Sequence, residues 1–195
     1  MVQVHITGNY NSAIDCIFDD NFAHGGKGAA IYVKGEHASV DNSIFTRHDS
    51  DMGTVYVLGN YFNCTDSVFE DNTAGHGGAG IYVEGNHTYI AHSSFKNNNA
   101  SMHGGAIHTI GDYAKILYSN FTYNNAIPTI ESDPEYGLGG AIYIDGDHNE
   151  ISFSKFRHNT ARNGSAIYNR GDEFVLNDDT FENNQALSYF LFTEA

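Results

Sequence analysis

A row of ring-bearing residues is the feature of this sequence best suited to recognition chemistry. Each member lies between two apolar residues of a short strand, so its side chain should point away from the core. Tyr and His rings combine an apolar body with a polar end, and an outward row of them suits contact with sugars or with a partner protein. The alternative is that Tyr is a good strand residue whose stacking stabilises the sheet. The candidates are Tyr32, Tyr56, Tyr82, His108, Tyr143 and Tyr168.

An inserted loop at residues 127–137 is the second candidate for binding. It makes one repeat nine residues longer than its neighbours and holds both prolines of the chain, so it should leave the coil and be fairly stiff. Insertions on repeat proteins often carry binding specificity, although a functionless excursion is equally compatible with the sequence. The side chains it offers are Glu131, Asp133, Glu135 and Tyr136.

Outward carboxylates are crowded in the first three repeats. Hard cations take several carboxylate oxygens, so calcium is a possible ligand, with Asp15, Asp66 and Asp71 as the candidate residues. The alternative is a solvated acidic face, because the spacing defines no single site. No other cofactor is expected.

The elements that must position these residues follow from a repeat. Seven Phe residues recur at spacings of 24 to 27 residues, with one spacing of 35 at the inserted loop. The third residue after each Phe is Asn in six of the seven units, so the unit contains F-x-x-N. The chain is therefore an array of one unit. The seven residues are Phe18, Phe45, Phe69, Phe95, Phe121, Phe156 and Phe181.

The repeat predicts an all-β parallel β-helix of about seven coils, each of roughly 25 residues. Apolar residues alternate over four to six positions and stop at Gly, Asn or Asp, which is typical of short strands. Like positions of successive coils should then stack at about 4.8 Å. The Phe column and the column beginning at Ile31 are predicted to form the core. Stacked Asn side chains should satisfy the backbone at a corner, which explains why residues that break helices recur here.

Two alternating motifs carry a resemblance to known surface proteins. Gly104-Gly105-Ala106-Ile107 and Gly139-Gly140-Ala141-Ile142 alternate in phase with the F-x-x-N units over nearly the whole chain. The sequence thus resembles the GGAI and FxxN repeats of chlamydial polymorphic outer membrane proteins and of adhesin-like surface proteins from methanogenic archaea. The resemblance implies a right-handed parallel β-helix with an extracellular or cell-surface location and a role in adhesion. Gly28-Ala29-Ala30, Gly53-Thr54 and Gly164-Ser165-Ala166 depart from the motif.

The sequence at the two ends of the chain predicts that residues 1–195 are a single β-helix segment of a longer surface protein. The chain starts inside a strand at Val2-Gln3-Val4 and stops at what aligns as the start of another coil. Open ends of a solenoid expose strand edges, so self-association through them is possible. No window is apolar enough for a membrane-spanning helix, and no membrane insertion by this segment is expected.

The charge and the motifs of the sequence favour a binding function over an enzymatic one. The net charge of −15 argues against nucleic acid as a partner. The favoured hypothesis is a non-enzymatic adhesin-like module that binds a glycan or surface protein of another cell. The alternatives are a structural stalk or self-assembling spacer, and a polysaccharide lyase or hydrolase. Gly75-His76-Gly77 is superficially similar to the Gly-His-Gly of polygalacturonases, but the companion Asn-Thr-Asp, Gly-Asp-Asp and Arg-Ile-Lys motifs are absent from the sequence.

Overall fold

The computed structural model describes residues 3–128 and 136–187 and is all-β in those ranges. The chain winds as a right-handed parallel β-helix through four sheets per coil, which we name A to D in the order in which the chain meets them. Each sheet holds seven parallel strands, one from each coil. The predicted fold class is confirmed. No helix in the described part of the chain is long and apolar enough to cross a membrane.

The strands are short, and each coil is numbered from its sheet A strand. Sheet A contains Val4–Thr7, Ile31–Lys34, Val55–Leu58, Ile81–Glu84, Ile107–Ile110, Ile142–Asp145 and Ile167–Arg170, which open coils 1 to 7. Sheet B contains Ser12–Ile14, Ser39–Asp41, Asn63–Thr65, Tyr89–Ala91, Lys115–Leu117, Glu150–Ser152 and Val175–Asn177. Sheet C contains Ile17–Asp19, Ile44–Thr46, Val68–Glu70, Ser94–Lys96, Asn120–Thr122, Lys155–Arg157 and Thr180–Glu182. Sheet D contains Phe22–Lys27, Asp49–Met52, Thr73–Gly77, Asn99–Ala100, Asn125–Ala126, Thr160–Ala161 and Gln185–Ala186.

The repeated Phe residues form the predicted core column. Phe69 pairs in register with Phe45 on one side and Phe95 on the other, and the rings of the column stack with centroids 4.7 to 5.1 Å apart. In coils 2 to 6 these rings are fully buried. Because a buried Phe side chain contributes about 1.5–3 kcal/mol through removal from water, this column is a major source of stability.

The Asn column closes the corner between sheets C and D, as predicted. The Asn98 side-chain amide donates to the carbonyl of Phe69 in the coil below (3.0 Å) and to Oδ1 of Asn124 in the coil above (3.0 Å). The backbone N–H of Asn98 also donates to that Oδ1 (3.1 Å). The same pattern recurs at Asn72, Asn124 and Asn159. Backbone groups that no strand ladder reaches are thereby satisfied.

The three corners A–B, B–C and C–D each contain one non-glycine residue with positive φ in every coil. At the A–B corner this residue is an aromatic or His in six of seven coils, and Tyr10, His37, Tyr61, His87, Tyr113 and His148 stack there with centroids 4.6 to 5.0 Å apart. Left-handed backbone costs a non-Gly residue about 1–2 kcal/mol. The stacking of like residues between coils helps to offset that cost.

The corner from sheet D back to sheet A needs glycine. Gly104 has φ +55°, and a Cβ placed on it would lie 2.0 Å from the carbonyl oxygen of Ile107. The first glycine of the motif is kept even in the divergent copies, at Gly28, Gly53 and Gly164, where φ lies between +59° and +69°. The second glycine is replaced there by Ala, Thr or Ser, so the first is the one that the turn requires.

Candidate functional site

The ring-bearing residues of sheet A form a continuous row, as the sequence predicts. Tyr32 pairs in register with Tyr56, and the row continues through Tyr82 and His108 to Tyr143 and Tyr168. Neighbouring ring centroids are 4.4 to 5.7 Å apart. The row lies on the face of sheet A opposite the Phe core, because it alternates with the buried positions of each strand.

A second column lies over this row. Its members come a few residues before each sheet A strand and are joined by parallel bridges between coils. We call it the cover column. Lys27 lies over the ring of Tyr56 at 4.5 Å, and His103 stacks on Tyr143 at 4.8 Å. Gly77 fits against His108, where a Cβ would come within 2.5 Å of Nδ1. The cover column is Lys27, Met52, Gly77, His103, Leu138 and Asn163.

The cover column corrects the expectation that the row is open to solvent. Tyr56, Tyr82, His108 and Tyr143 are at most 6% exposed, and only Tyr32 and Tyr168 of the six are half-buried. The row is also unsuited to sugar stacking along its length, because each inner ring is flanked by its neighbours in the coils above and below. Because the coils stack in register, each inner ring packs against the rings of the neighbouring coils. The ring faces on which a sugar would stack are therefore already occupied.

One cluster of ionisable groups joins Lys27 of the cover column to Tyr56 of the row and to Glu84, which lie in coils 1, 3 and 4. Lys27 Nζ donates to the hydroxyl of Tyr56 (2.7 Å), and that hydroxyl donates to the carboxylate of Glu84. Lys27 Nζ lies 3.8 Å from Oε1 of Glu84. Burial and the hydrogen bond to Glu84 raise the pKa of Tyr56. Tyr56 therefore stays protonated at neutral pH, and its hydrogen bonds with Lys27 and Glu84 tie coils together.

A pocket of about 390 Å³ lies between members of the row and of the cover column, at coils 4 to 7. Tyr143 and Tyr168 of the row lie on one side of it, and the sheet A strand of coil 7 adds Arg170. Its volume is within the range of about 300–1,000 Å³ that is usual for small-ligand sites. The described residues that line it are His103, Tyr136, Leu138, Tyr143, Asn163, Tyr168 and Arg170.

Burial and hydrogen bonding set the charge state of the pocket wall. Burial raises the pKa of Tyr143, and its hydrogen bond with the guanidinium of Arg170 opposes that rise. The ring of His108 lies beside His103 and Tyr143, and burial lowers its pKa to about 3, with a smaller contribution from His103. His108 is therefore neutral at physiological pH. Arg170 Nη1 is 3.9 Å from Asp145 Oδ2, a loose ion pair at the rim.

The structure brings together three of the predicted site residues and leaves the others apart. Tyr136, Tyr143 and Tyr168 all line the pocket, whereas Tyr32, Tyr56 and Tyr82 lie in coils 2 to 4. Of the loop candidates, Glu131, Asp133 and Glu135 lie outside the described residues.

The calcium candidates do not meet in the structure. Asp15 and Asp66 occupy the B–C corner two coils apart, with Asn42 between them donating to Asp15 Oδ1 (2.6 Å). Asp71 lies at the C–D corner and accepts a hydrogen bond from Asn97. Within residues 3–128 and 136–187 no group of three or more His, Cys, Asp or Glu side chains could hold a metal ion.

Four pocket residues were not among the predicted site residues: His103, Leu138, Asn163 and Arg170. The first three belong to the cover column, whose members share no residue type. Only their position could have identified them in the sequence, because each lies four residues before a sheet A strand. Arg170 is a weaker case, because the aligned positions carry unrelated residues such as Asp145 and Ile110.

Comparison with known families supports the resemblance seen in the sequence. Three segments of the chain match the Chlamydia polymorphic membrane protein repeat, at residues 15–34, 66–84 and 92–110. Each segment runs from the B–C corner through the Phe strand and the cover column to the end of a sheet A strand. No curated protein and no solved structure matches the chain.

Proposed function

We propose that this chain is a surface-associated, non-enzymatic β-helix module that binds a glycan of another cell in the pocket at coils 4 to 7. The match to a repeat of membrane proteins supports a location at the cell surface, outside the cell. The pocket supports binding of a small polar ligand.

The observation that carries this proposal is the polar and aromatic lining of the pocket. Three Tyr side chains, His103, Asn163 and Arg170 converge there, with Leu138 as the aliphatic member. Sugar recognition requires several hydrogen-bonding groups within one site, together with ring surface. The pocket supplies both kinds of group.

The pocket binds through hydrogen bonds more than through ring stacking. Tyr143 has His108 at 4.6 Å on one side and Tyr168 at 5.7 Å on the other, so its faces are occupied. Tyr136 is outside the row and meets His103 edge-on, with centroids 6.0 Å apart. We therefore assign Tyr136, and not the row, as the ring to test first.

A glycan array with two matched Tyr variants tests the proposal. We expect the wild-type chain to bind a subset of glycans and Tyr136→Ala to lose that binding. Tyr123→Ala removes an exposed ring at the C–D corner and should bind as the wild type does. Both variants should retain a β-rich circular dichroism spectrum. Absence of glycan binding by the wild type, or equal binding by both variants, would contradict the proposal.

A structural spacer is the second candidate, and the burial of the row favours it. Tyr56 is fully buried and hydrogen-bonded beneath the cover column, so much of the row serves to stabilise the coil. A spacer that assembles through its ends or sides would show concentration-dependent mass in sedimentation analysis and no glycan binding. A monomer at all concentrations would remove the self-assembling form of this candidate.

A further inference from the structure

We infer that the chain is N-glycosylated at Asn63, Asn99 and Asn120, which places one oligosaccharide on each of sheets B, D and C. N-linked glycosylation takes place at an Asn in the triplet N-x-S or N-x-T, where x is not Pro, in proteins that leave the cytosol. The inference therefore rests on the cell-surface location in the proposed function, and it is independent of glycan binding in the pocket. The sequence contains five such triplets, at Asn63, Asn86, Asn99, Asn120 and Asn163.

Burial separates the Asn residues of these triplets from the Asn residues of the core. All five triplet Asn residues are exposed. In the described part of the chain, no buried Asn lies in such a triplet. In the Asn column the position that would need Ser or Thr is a buried Ala, as in Asn98-Asn99-Ala100. An oligosaccharide is bulky and requires a surface position, so the motif and the burial select the same residues. The buried residues are Asn72, Asn98, Asn124, Asn149 and Asn159.

Three of the triplets are matched to the alternation of a strand. Their middle residue is at most 1% exposed and packs in the core, so the Asn and the hydroxyl residue on either side of it lie on the same outer face. Each of the three triplets therefore presents the acceptor amide and its hydroxyl partner together on the surface. They are Asn63-Cys64-Thr65 in sheet B, Asn99-Ala100-Ser101 at sheet D and Asn120-Phe121-Thr122 in sheet C.

The fold does not use the side-chain amides of these three residues. Within residues 3–128 and 136–187, the side chains of Asn63, Asn99 and Asn120 make no hydrogen bond to the protein. Replacing one amide hydrogen by a sugar there breaks no contact. The neighbouring Asn98 is the opposite case, because its amide donates both to the Phe69 carbonyl and to Oδ1 of Asn124. A sugar on that nitrogen would remove a buried hydrogen bond.

The other two triplets hold Asn residues that already have a place in the structure, and we do not assign them. Asn86 belongs to the ladder at the turn after sheet A, where its Oδ1 accepts from the Asp112 N–H (2.9 Å). The following Thr88 is 1% exposed, so this triplet does not present its hydroxyl on the surface. Asn163 is a member of the cover column and lines the pocket.

The modification is a glycosyl transfer from an oligosaccharide linked to a polyprenyl diphosphate, and a separate transferase catalyses it. A bond forms between the Asn amide nitrogen and the anomeric carbon of the first sugar. The bond between that carbon and the diphosphate oxygen breaks, the diphosphate keeps the electron pair, and the amide loses one proton. One transfer in each of coils 3, 4 and 5 gives three oligosaccharides that leave the β-helix on three different faces.

Mass spectrometry of the full chain, purified from the surface of cells that produce it, tests the assignment. We expect an intact mass above that of the polypeptide, and electron-transfer fragmentation of its peptides should locate the sugars on Asn63, Asn99 and Asn120. Absence of sugar from all three residues would overturn the inference. Sugar confined to Asn86 and Asn163 would also overturn it, because exposure and strand geometry would then not select the sites.

Matched variants at one triplet, made in the same cells, show whether the motif directs the modification. Thr122→Val removes the hydroxyl at nearly constant volume and should lose one oligosaccharide, whereas Thr122→Ser should keep it. Asn97→Gln changes an exposed Asn outside any triplet and should carry the same number of oligosaccharides as the wild type. Unchanged glycosylation of Asn120 in Thr122→Val would overturn the inference.

A chain made in a cytosol that lacks the transferase separates this inference from the proposed function. It should give the same β-rich circular dichroism spectrum as the glycosylated chain, because the three amides make no contact in the fold. The same unmodified chain is the one applied to the glycan array. Loss of glycan binding and absence of glycosylation are therefore scored in different experiments, and either can fail without the other.

Discussion

At the scale of single residues, His48 shows how one side chain can replace another in a buried ladder. It occupies the Asn column in coil 2 and is 1% exposed. With its proton on Nε2, the ring accepts a hydrogen bond from the Asn21 backbone N–H at Nδ1 (3.0 Å) and donates to the Phe18 carbonyl (3.2 Å). These are the two roles that an Asn amide plays in the other coils. His48 therefore fits the ladder only while it is neutral.

This substitution makes stability depend on pH. Burial lowers the pKa of His48 below its usual 6.5, although hydrogen bonds to Asn21 and Phe18 oppose the change. Because the unfolded chain then binds a proton more readily, the stabilising contribution is present above pH 6.5 and is lost as pH falls below it. We expect His48→Asn to show a smaller fall in melting temperature than the wild type between pH 7.5 and about pH 5.

Thermal unfolding followed by circular dichroism at several pH values measures this difference. The other His residues, including the buried His108, are common to both chains, so the difference between the two profiles isolates His48. Parallel profiles would contradict the prediction, because they would mean that folding leaves the pKa of His48 unchanged. At pH 8, the difference in melting temperature between His48→Asn and the wild type compares how well the two neutral side chains fit the ladder.

At the scale of elements, the Asn column carries more stability than the equally regular polar ladder at the turn after sheet A. Asn98 is fully buried, and its loss would leave the Phe69 carbonyl and the Asn72 N–H without their present partners. Asn86 lies in the outer ladder, where its Oδ1 accepts from the Asp112 N–H (2.9 Å) and water can replace it. The two ladders look alike in sequence and differ in burial.

We expect Asn98→Ala to lower the free energy of unfolding by about 2–5 kcal/mol, because each buried unsatisfied group costs about 1–3 kcal/mol. The matched control Asn86→Ala should cost less than about 1 kcal/mol, since its partner stays hydrated. Urea denaturation measures both values. Equal losses would mean that the buried ladder is satisfied by other groups or by water when Asn98 is removed.

The same elements show what the sequence could and could not reveal about the site. Phe69, Phe95 and their counterparts repeat in type, so their register follows from spacing alone and the coil could be predicted. The cover column repeats in position but not in type, from Lys27 through Gly77 to Leu138. The alternation of apolar and ring-bearing residues within each sheet A strand correctly places the Tyr row on the face opposite the core. It does not predict that the cover column lies over that row. The pocket depends on the cover column, so the alternation pattern does not predict it.

At the scale of the whole molecule, stability is transmitted only between neighbouring coils. The Phe, Asn and corner ladders run along the axis, and each coil contacts the coil above and the coil below. Burial is not uniform along this axis. Phe95 and Phe121 are fully buried in coils 4 and 5, whereas Phe181 in coil 7 is 47% exposed. Protection against local opening should follow that gradient.

We expect amide hydrogen exchange to be slowest in the sheet C strands Val68–Glu70, Ser94–Lys96 and Asn120–Thr122. Exchange in Thr180–Glu182 should be faster by more than about 100-fold, which corresponds to about 3 kcal/mol of local stability. Measurement by mass spectrometry under conditions where exchange reports equilibrium opening resolves these segments. Uniform protection would mean that the β-helix opens as one cooperative unit. A gradient would mean that coil 7 opens more easily than the centre of the β-helix. The pocket lies on that boundary, because it uses Tyr143 of coil 6 and Arg170 of coil 7. A ligand that contacts both coils should therefore slow exchange in Ile167–Arg170 first.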